Sequence, residues 1–316
     1  MRLATVLDRN TPHPVVLLKD GTRVDYRLAL EALHIHPPPP DSTWPFPELN
    51  ELVARHGEFE HWVAGVRPHD ETLQTAPLLS PVPRPRTFRD FYAFEQHVKT
   101  ARARRKLEMI PQWYEIPVFY FSNPNSLLGP DAEVFAPRDS AELDYELELG
   151  VVIGKAGRDI PEEKAWEHVA GFTIINDFSA RDLQRKEMGV GLGPAKGKDF
   201  ATGVGPHLVT LDEVQDRISA DGKIDLQMSA RVNGKELSRG NANSMYYTWP
   251  RLIAQASRDA ELFEGDLIGS GTVGTGCILE LGPENTGGWL KPGHVVELEI
   301  ERLGVLKHRI VERPKP

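Results

Sequence analysis

One run constrains this chain more than any other, because charge and apolar residues alternate along it and then stop alternating. It reads Leu143-Asp144-Tyr145-Glu146-Leu147-Glu148-Leu149-Gly150-Val151-Val152-Ile153-Gly154. Successive strand side chains point to opposite faces, so Tyr145, Leu147, Leu149 and Val151 share one side and Glu146 and Glu148 the other. By itself that is a strand with one wet face. Val151-Val152-Ile153 then breaks the alternation, and a continuous apolar run reads as a strand buried on both faces. Carboxylates on a strand that enters the core need a partner. A hard divalent cation suits them: Mg²⁺, Mn²⁺ and Ca²⁺ all prefer carboxylate oxygens.

A second stretch supplies a third carboxylate. Val169-Ala170-Gly171-Phe172-Thr173-Ile174-Ile175 reads as a buried strand and runs out at Asn176-Asp177. Ser179-Ala180-Arg181-Asp182 predicts a helix start of the capping-box kind. On that helix Arg181 and Gln184 are three apart and share the face that adjoins Asp177. Many short strands, few helices and closely spaced turn signals predict a β-rich α+β fold.

The chain has 316 residues, room for one large domain or for one domain with a smaller one. A net charge of −9, with no long basic block, argues against a nucleic-acid partner. Cys277 is the one cysteine, so no internal disulfide forms and nothing points to an oxidising compartment. No secretory leader is visible, and no run of 18 apolar residues exists to span a membrane. A cytoplasmic protein is the expectation.

Residues 1–80 read as a small N-terminal domain, with a Val15–Tyr26 hairpin turning at Asp20-Gly21. Pro37 to Pro40 form a stiff break, and Phe46 to Val66 has helical spacing. His56 and His61 are five apart, the wrong spacing for a metal pair on one helix face. Pro77, Pro81, Pro83 and Pro85 mark a linker to a second domain over residues 86–316. There Asp90 is expected to cap a helix with Phe91, Phe94 and Val98 on its apolar stripe. The glycine-rich Gly189–Asp199 segment is no Walker loop, because Leu192 and Asp199 occupy required Gly and Ser/Thr positions. Asn233-Gly234 signals another hairpin and Tyr246–Ala260 a helix. Gly269, Gly271 and Gly274 have dinucleotide-motif spacing, but the following Cys277–Leu281 reads as a strand where that motif needs a helix. Val295–Ile300 and Leu306–Val311 read as two more strands. No Gly-x-Ser-x-Gly elbow is present, which argues against a serine hydrolase.

Glu146-x-Glu148 on a strand, then Asn176-Asp177-Phe178-Ser179-Ala180-Arg181-Asp182-Leu183-Gln184, then Gly197-Lys198-Asp199-Phe200 resembles the fumarylacetoacetate hydrolase superfamily, in particular its fumarylacetoacetase-like branch. The resemblance covers about residues 86 to 310. It implies a mixed β-roll around a central pocket, a homodimer and a divalent metal. Asp90 takes a metal-ligand position beside Glu146, Glu148 and Asp177. Tyr92, Tyr120, Gln184 and Thr272 take substrate-binding positions. His97 takes the place of the catalytic base and Glu280 that of the residue orienting it, with Lys198, Arg181 and Gln184 as oxyanion partners. The implied activity is metal-dependent hydrolysis of a C–C bond in a small β-diketo acid of the fumarylacetoacetate or acylpyruvate type. Rival readings are a 2-keto acid isomerase, decarboxylase or hydratase of the same superfamily, and a silent metal-binding protein. Two departures stand out: Met188 replaces a substrate-contacting Tyr, and Lys106 replaces an Arg, losing bidentate recognition of a carboxylate. The Arg- and Lys-rich segment 97–111 is expected to act as a lid.

Overall fold

The computed structural model describes residues 1–36, 46–66 and 70–314; the proline break at Pro37–Pro40 lies outside the described residues. The fold is mixed α+β and rich in sheet, with no closed barrel among the described residues. Its centre is the strand Val169–Asp177, buried at every position. On one side it pairs antiparallel with Leu147–Ile153, likewise fully buried. On the other it pairs with Thr202–Thr210. Both strands are dense in Val, Ile and Leu, as expected where each face is covered.

Outward from Leu147–Ile153 the sheet continues to Leu267–Thr272, which runs parallel to Phe88–Phe91. Phe119–Phe121 forms that edge. Outward from Thr202–Thr210 it continues through Arg2–Asp8 and Thr11–Leu17 to Arg23–Asp25. A second sheet orders Lys235–Asn241, Gln227–Val232, Val295–Ile300, Gly304–Ile310 and Glu133–Val134. The main core lies between the sheets, joining Phe172 and Ile174 to Leu298, Ile300 and Leu306. No helix among the described residues is long and apolar enough to cross a membrane.

Both predicted hairpins form. Asn233 and Gly234 adopt φ of 51° and 76°, the left-handed pair that a tight two-residue turn requires. Other local readings yield to longer-range partners. Phe46–Val66 is two helices, Phe46–Ala54 and His56–Val66. The helix read over Tyr246–Ala260 is shorter, Trp249–Ser257, because the Tyr246 N–H donates to Ala93 O instead of starting a turn. Asp90 caps no helix: it sits inside a strand, aligned with Gly269 and Tyr120, and the helix begins only at Glu95. Ser179 forms no capping box. Ser179-Ala180 is a short strand beside Leu143-Asp144, and the Ser179 hydroxyl donates to Asp177 O. The segment read as a strand at Cys277–Leu281 is a helical turn, Ile278–Leu281, because the Asp144 carboxylate accepts its first N–H groups. The dinucleotide reading still fails, since those N–H groups are already taken.

Gly171 shows how tightly the central strands meet. A Cβ there would lie 2.2 Å from Val209 O, a backbone atom that cannot step aside. Gly171→Ala should therefore cost about 1–3 kcal/mol, the usual penalty of overpacking. The check is the urea unfolding midpoint, and an unchanged midpoint would show that the strands can spread.

Candidate active site

Three strands carry three carboxylates to one point. Asp90 comes from Phe88–Phe91, Glu148 from Leu147–Ile153 and Asp177 from the end of Val169–Asp177. One oxygen from each lies within 4.8 Å of the others. All three residues are buried, at 2%, 1% and 0% exposure. Asp90 Oδ1, Glu148 Oε2 and Asp177 Oδ1 have no hydrogen-bond partner. Gly269 makes room for the convergence, since a Cβ there would stand 2.4 Å from Asp90 Oδ1 and 3.1 Å from Glu148 Oε2. Burial, followed by repulsion between the acids, pushes Asp90 and Glu148 well above the usual carboxylate range. Burial also raises Asp177, against the pull of Lys198. Orphaned buried oxygens with no nitrogen or sulfur donor among them fit a hard divalent cation.

Glu146 stands apart from that trio, across the Lys198 ammonium. Lys198 Nζ donates to Asp177 Oδ2 at 2.5 Å and also to Glu146 Oε2. Arg181 donates to Glu146 Oε1 at 2.7 Å and from Nε to Asp144 Oδ2 at 2.8 Å. Burial works against the charge on Glu146, but Lys198 and Arg181 together hold its carboxyl well below the usual range. Gln184 Oε1 accepts from Arg181 at 3.1 Å, and Tyr120 donates its hydroxyl to Asp177 Oδ2 at 2.7 Å. Lys198 reaches this place because Gly197 passes close to the helix Arg181–Val190: a Cβ on Gly197 would lie 2.7 Å from Gln184 N. Of the glycine-rich loop, Gly197 is the member whose smallness matters at the site.

The third part is a buried dyad. His97, on the helix Glu95–Arg104, places Nδ1 2.5 Å from Glu280 Oε1. A carboxylate only accepts, so Nδ1–H is the donor, and in the neutral ring Nε2 carries the lone pair. Glu280 Oε2 accepts the Thr275 N–H at 3.1 Å, which fixes the carboxylate. Tyr92 stands edge-on to the His97 ring, centroids 5.3 Å apart, and Thr272 Oγ1 is 3.4 Å from Glu148 Oε1. Much of the segment read as a lid is the helix Glu95–Arg104 that carries His97 itself, and Arg104 at its end pairs with Glu284 at 3.0 Å. Cys277 is buried 3.8 Å from Glu280 Oε1, and burial pushes its thiol far above the ordinary value, so it is no nucleophile.

A cavity of about 310 Å³ joins these parts. Asp90, Tyr92, His97, Tyr120, Glu146, Glu148, Arg181, Gln184, Lys198 and Thr272 all line it. Ala101, Val118, Met188, Pro194 and Leu279 add apolar lining, and Arg105 and Arg185 line it as well. Of the neighbours Arg105 and Lys106, Arg105 is the one that lines the cavity. Sequence reasoning missed Asp144. Its carboxylate accepts from Arg181 and from the N–H groups of Ile278, at 2.8 Å, and Leu279, at 3.0 Å. One acid thus grips the arginine beside Glu146 and caps the turn that carries Glu280. The signal was available, since Asp144 continues the alternating acidic face two residues before Glu146.

The shifts have a consequence for stability. Folded values of Asp90 and Glu148 lie above unfolded ones, so without a cation the native state holds protons that the unfolded chain gives up. Their contribution is greatest below the unfolded value of about 4 and is lost as pH rises through the folded values. Glu148→Gln should flatten the fall in melting temperature of the metal-free protein as pH rises above the unfolded value of about 4, because it removes one of the repelling charges. The same variant should lose most affinity for Mn²⁺ in calorimetric titration while staying folded. Wild-type Mn²⁺ affinity in the variant would remove Glu148 from the cation site.

Residues 86–311 match the family described as fumarylacetoacetate (FAA) hydrolase C-terminal. A 2,4-didehydro-3-deoxy-L-rhamnonate hydrolase from Sphingomonas sp. (strain SKA58) is 38% identical over 197 residues, 62% of this chain and 65% of the relative. The mitochondrial oxaloacetate tautomerase FAHD2A of Homo sapiens is 38% identical over 195 residues, 62% of this chain and 59% of the relative. The match thus spans less than two thirds of the length of either curated relative. Among solved structures, fumarylpyruvate hydrolase from Pseudomonas aeruginosa in complex with Mn²⁺ and pyruvate superimposes with a TM-score of 0.58. It is 26% identical, over 72% of this chain and 91% of that one. With the family match running from residue 86 to residue 311 and the family's acidic strand, Asn-Asp string and lysine loop meeting in one cavity, the chain belongs to the fumarylacetoacetate hydrolase family.

Proposed function

We propose that this protein is a hydrolase that cleaves the C–C bond between the carbonyls of a β-diketo acid of the acylpyruvate or fumarylacetoacetate type. The observation that carries this reading is the His97–Glu280 contact, with His97 lining the same cavity as Asp90 and Glu148. A cation such as Mg²⁺, Mn²⁺ or Ca²⁺ held by Asp90, Glu148 and Asp177 supplies Lewis-acid chemistry at the keto-acid oxygens when bound. The chain's own groups do the rest. His97 Nε2 takes a proton from water, and Glu280 holds the Nδ1–H so that the ring keeps this tautomer. The hydroxide adds to the distal carbonyl carbon. Arg181 and Lys198, which meet on Glu146, and Gln184, which meets Arg181, donate to the oxyanion that forms. The C–C bond then breaks, its electron pair goes to the keto-acid carbon, and the proton held by His97 is delivered there. Tyr92, Tyr120 and Thr272 line the path and position the substrate.

A second reading, a 2-keto acid tautomerase or isomerase, uses the same base to move a proton on carbon without water adding. It is favoured by the tautomerase among the relatives. The decisive experiment offers acylpyruvates, fumarylacetoacetate and oxaloacetate to the Mg²⁺- or Mn²⁺-loaded protein and follows products by NMR. A carboxylic acid and a keto acid formed in equal amounts are expected. Proton exchange or isomer formation alone would replace the hydrolase reading. His97→Ala should lower the cleavage rate constant by roughly 10²–10⁴, the usual worth of a general base, with Mn²⁺ affinity unchanged. Full cleavage activity in His97→Ala would exclude its role.

A further inference from the structure

The dyad has a third neighbour that the proposed reaction does not use. Cys277 Sγ, Glu280 Oε1 and a ring nitrogen of His97 lie within 4.8 Å of one another, and all three residues are buried. Glu280 Oε1 is the shared vertex, 3.8 Å from Cys277 Sγ and 2.5 Å from His97 Nδ1. A zinc-like ion with bonds of about 2.0–2.3 Å holds the donors of a tetrahedron about 3.3–3.8 Å apart. Sulfur and oxygen already stand at that spacing. The Nδ1–Oε1 pair must open by less than about 1 Å as a cation takes the place of the shared proton, and the sulfur and the ring nitrogen lie within 4.8 Å of each other. Glu280 Oε2 stays on the Thr275 N–H, so the ligand is oriented from behind. Of the three residues, His97 also lines the cavity, so an ion reaches the cluster from that side.

We propose that Cys277, His97 and Glu280 form a second cation site, which takes a borderline-soft divalent ion such as Zn²⁺ and silences the enzyme by capturing its base. The donor chemistry separates it from the first site. Asp90, Glu148 and Asp177 offer only oxygen and suit hard cations, whereas sulfur, nitrogen and one oxygen suit Zn²⁺. The protons balance. The thiol loses one to water as the Zn–S bond forms. The imidazole proton leaves Nδ1, and Nε2 gains one through solvent, so the ring stays neutral and one proton is released overall. With Nε2 protonated, the ring cannot accept a proton from water. The silencing rests on His97 being the base proposed above, but the binding does not.

The test separates the two. Co²⁺ added to the Mg²⁺-saturated protein without substrate should give an intense near-ultraviolet thiolate-to-cobalt band. Cys277 is the chain's one cysteine, so that band reports this site alone. His97→Ala should weaken Co²⁺ binding roughly tenfold or more. Cys277→Ala should keep the basal activity and need roughly tenfold or more Zn²⁺ for the same inhibition at saturating Mg²⁺. Cys277→Ser serves if the alanine variant folds poorly. No cobalt band in the wild type, or an unchanged band in His97→Ala, would overturn the site. Equal Zn²⁺ sensitivity in wild type and both Cys277 variants would place inhibition at the carboxylates and overturn the silencing. A band in a protein that turns over no diketo acid would leave the site standing and remove the hydrolase reading.

Discussion

Everything at the centre of this fold answers to an imbalance of buried charge. Asp90, Asp144, Glu146, Glu148 and Asp177 are five buried carboxylates, and Arg181 and Lys198 are the two buried cations among them, leaving three negative charges over. Sealed from water, such an excess is tolerable only if protons or a cation offset it. The cluster is also unevenly divided. Arg181 and Lys198 both turn to Glu146, which is held ionised, while Asp90 and Glu148 are left to repel each other. This arrangement keeps one acid permanently charged and holds the others open for a cation.

Asp144 ties the charged half of the site to the proton-moving half. It touches neither the unpartnered carboxylate oxygens nor the His97 ring. Its carboxylate meets Arg181 on one side and the first turn of Ile278–Leu281 on the other. That turn is four residues long, too short to persist by itself, so its carboxylate cap counts for more than it would on a long helix. The position of Glu280, and through it the tautomer of His97, therefore depends on the same acid that orients the arginine beside Glu146. Two halves of the chain separated by more than a hundred residues are aligned by one buried side chain.

The strand pair and its carboxylates were legible in the sequence because they are written in local pattern. Alternation that gives way to a continuous apolar run predicts a strand whose acids are buried, and Glu146 and Glu148 are. What failed were local rules applied where a distant partner decides. Asp90 and Ser179 have the chemistry of helix caps, but each has a strand neighbour, Tyr120 or Gly269 for one and Asp144 for the other. Ile278-Leu279 is apolar and strand-like, and only Asp144, far back in the chain, turns it into a helix. The meeting of His97 with Glu280, 183 residues apart, is invisible to any periodicity. It was reached through family resemblance, as was the place of Lys198. The division between Glu146 and the three convergent carboxylates was not legible at all, because it depends on where Lys198 comes to rest.

The family's spread of reactions follows from the same geometry. On the proposed reading, hydrolysis and tautomerisation share their hardest requirement, which is charge building on a keto acid's oxygens while a base moves a proton nearby. Asp90, Glu148, Asp177 and His97 serve both. The reactions part over whether the base meets water or carbon, and that is decided by what fills the rest of the cavity. Here Ala101, Val118, Met188, Pro194 and Leu279 line part of the cavity with side chains that offer contact without hydrogen bonds. Arg105 and Arg185, which line the cavity too, carry guanidinium groups able to receive a carboxylate as a fork. A wall of that kind places the substrate by shape and leaves the space beside His97 to be filled by whatever the bound molecule does not occupy. Whether water can stand in that space is set by the shape of the bound molecule, so the substrate, as well as the base, selects between the two outcomes.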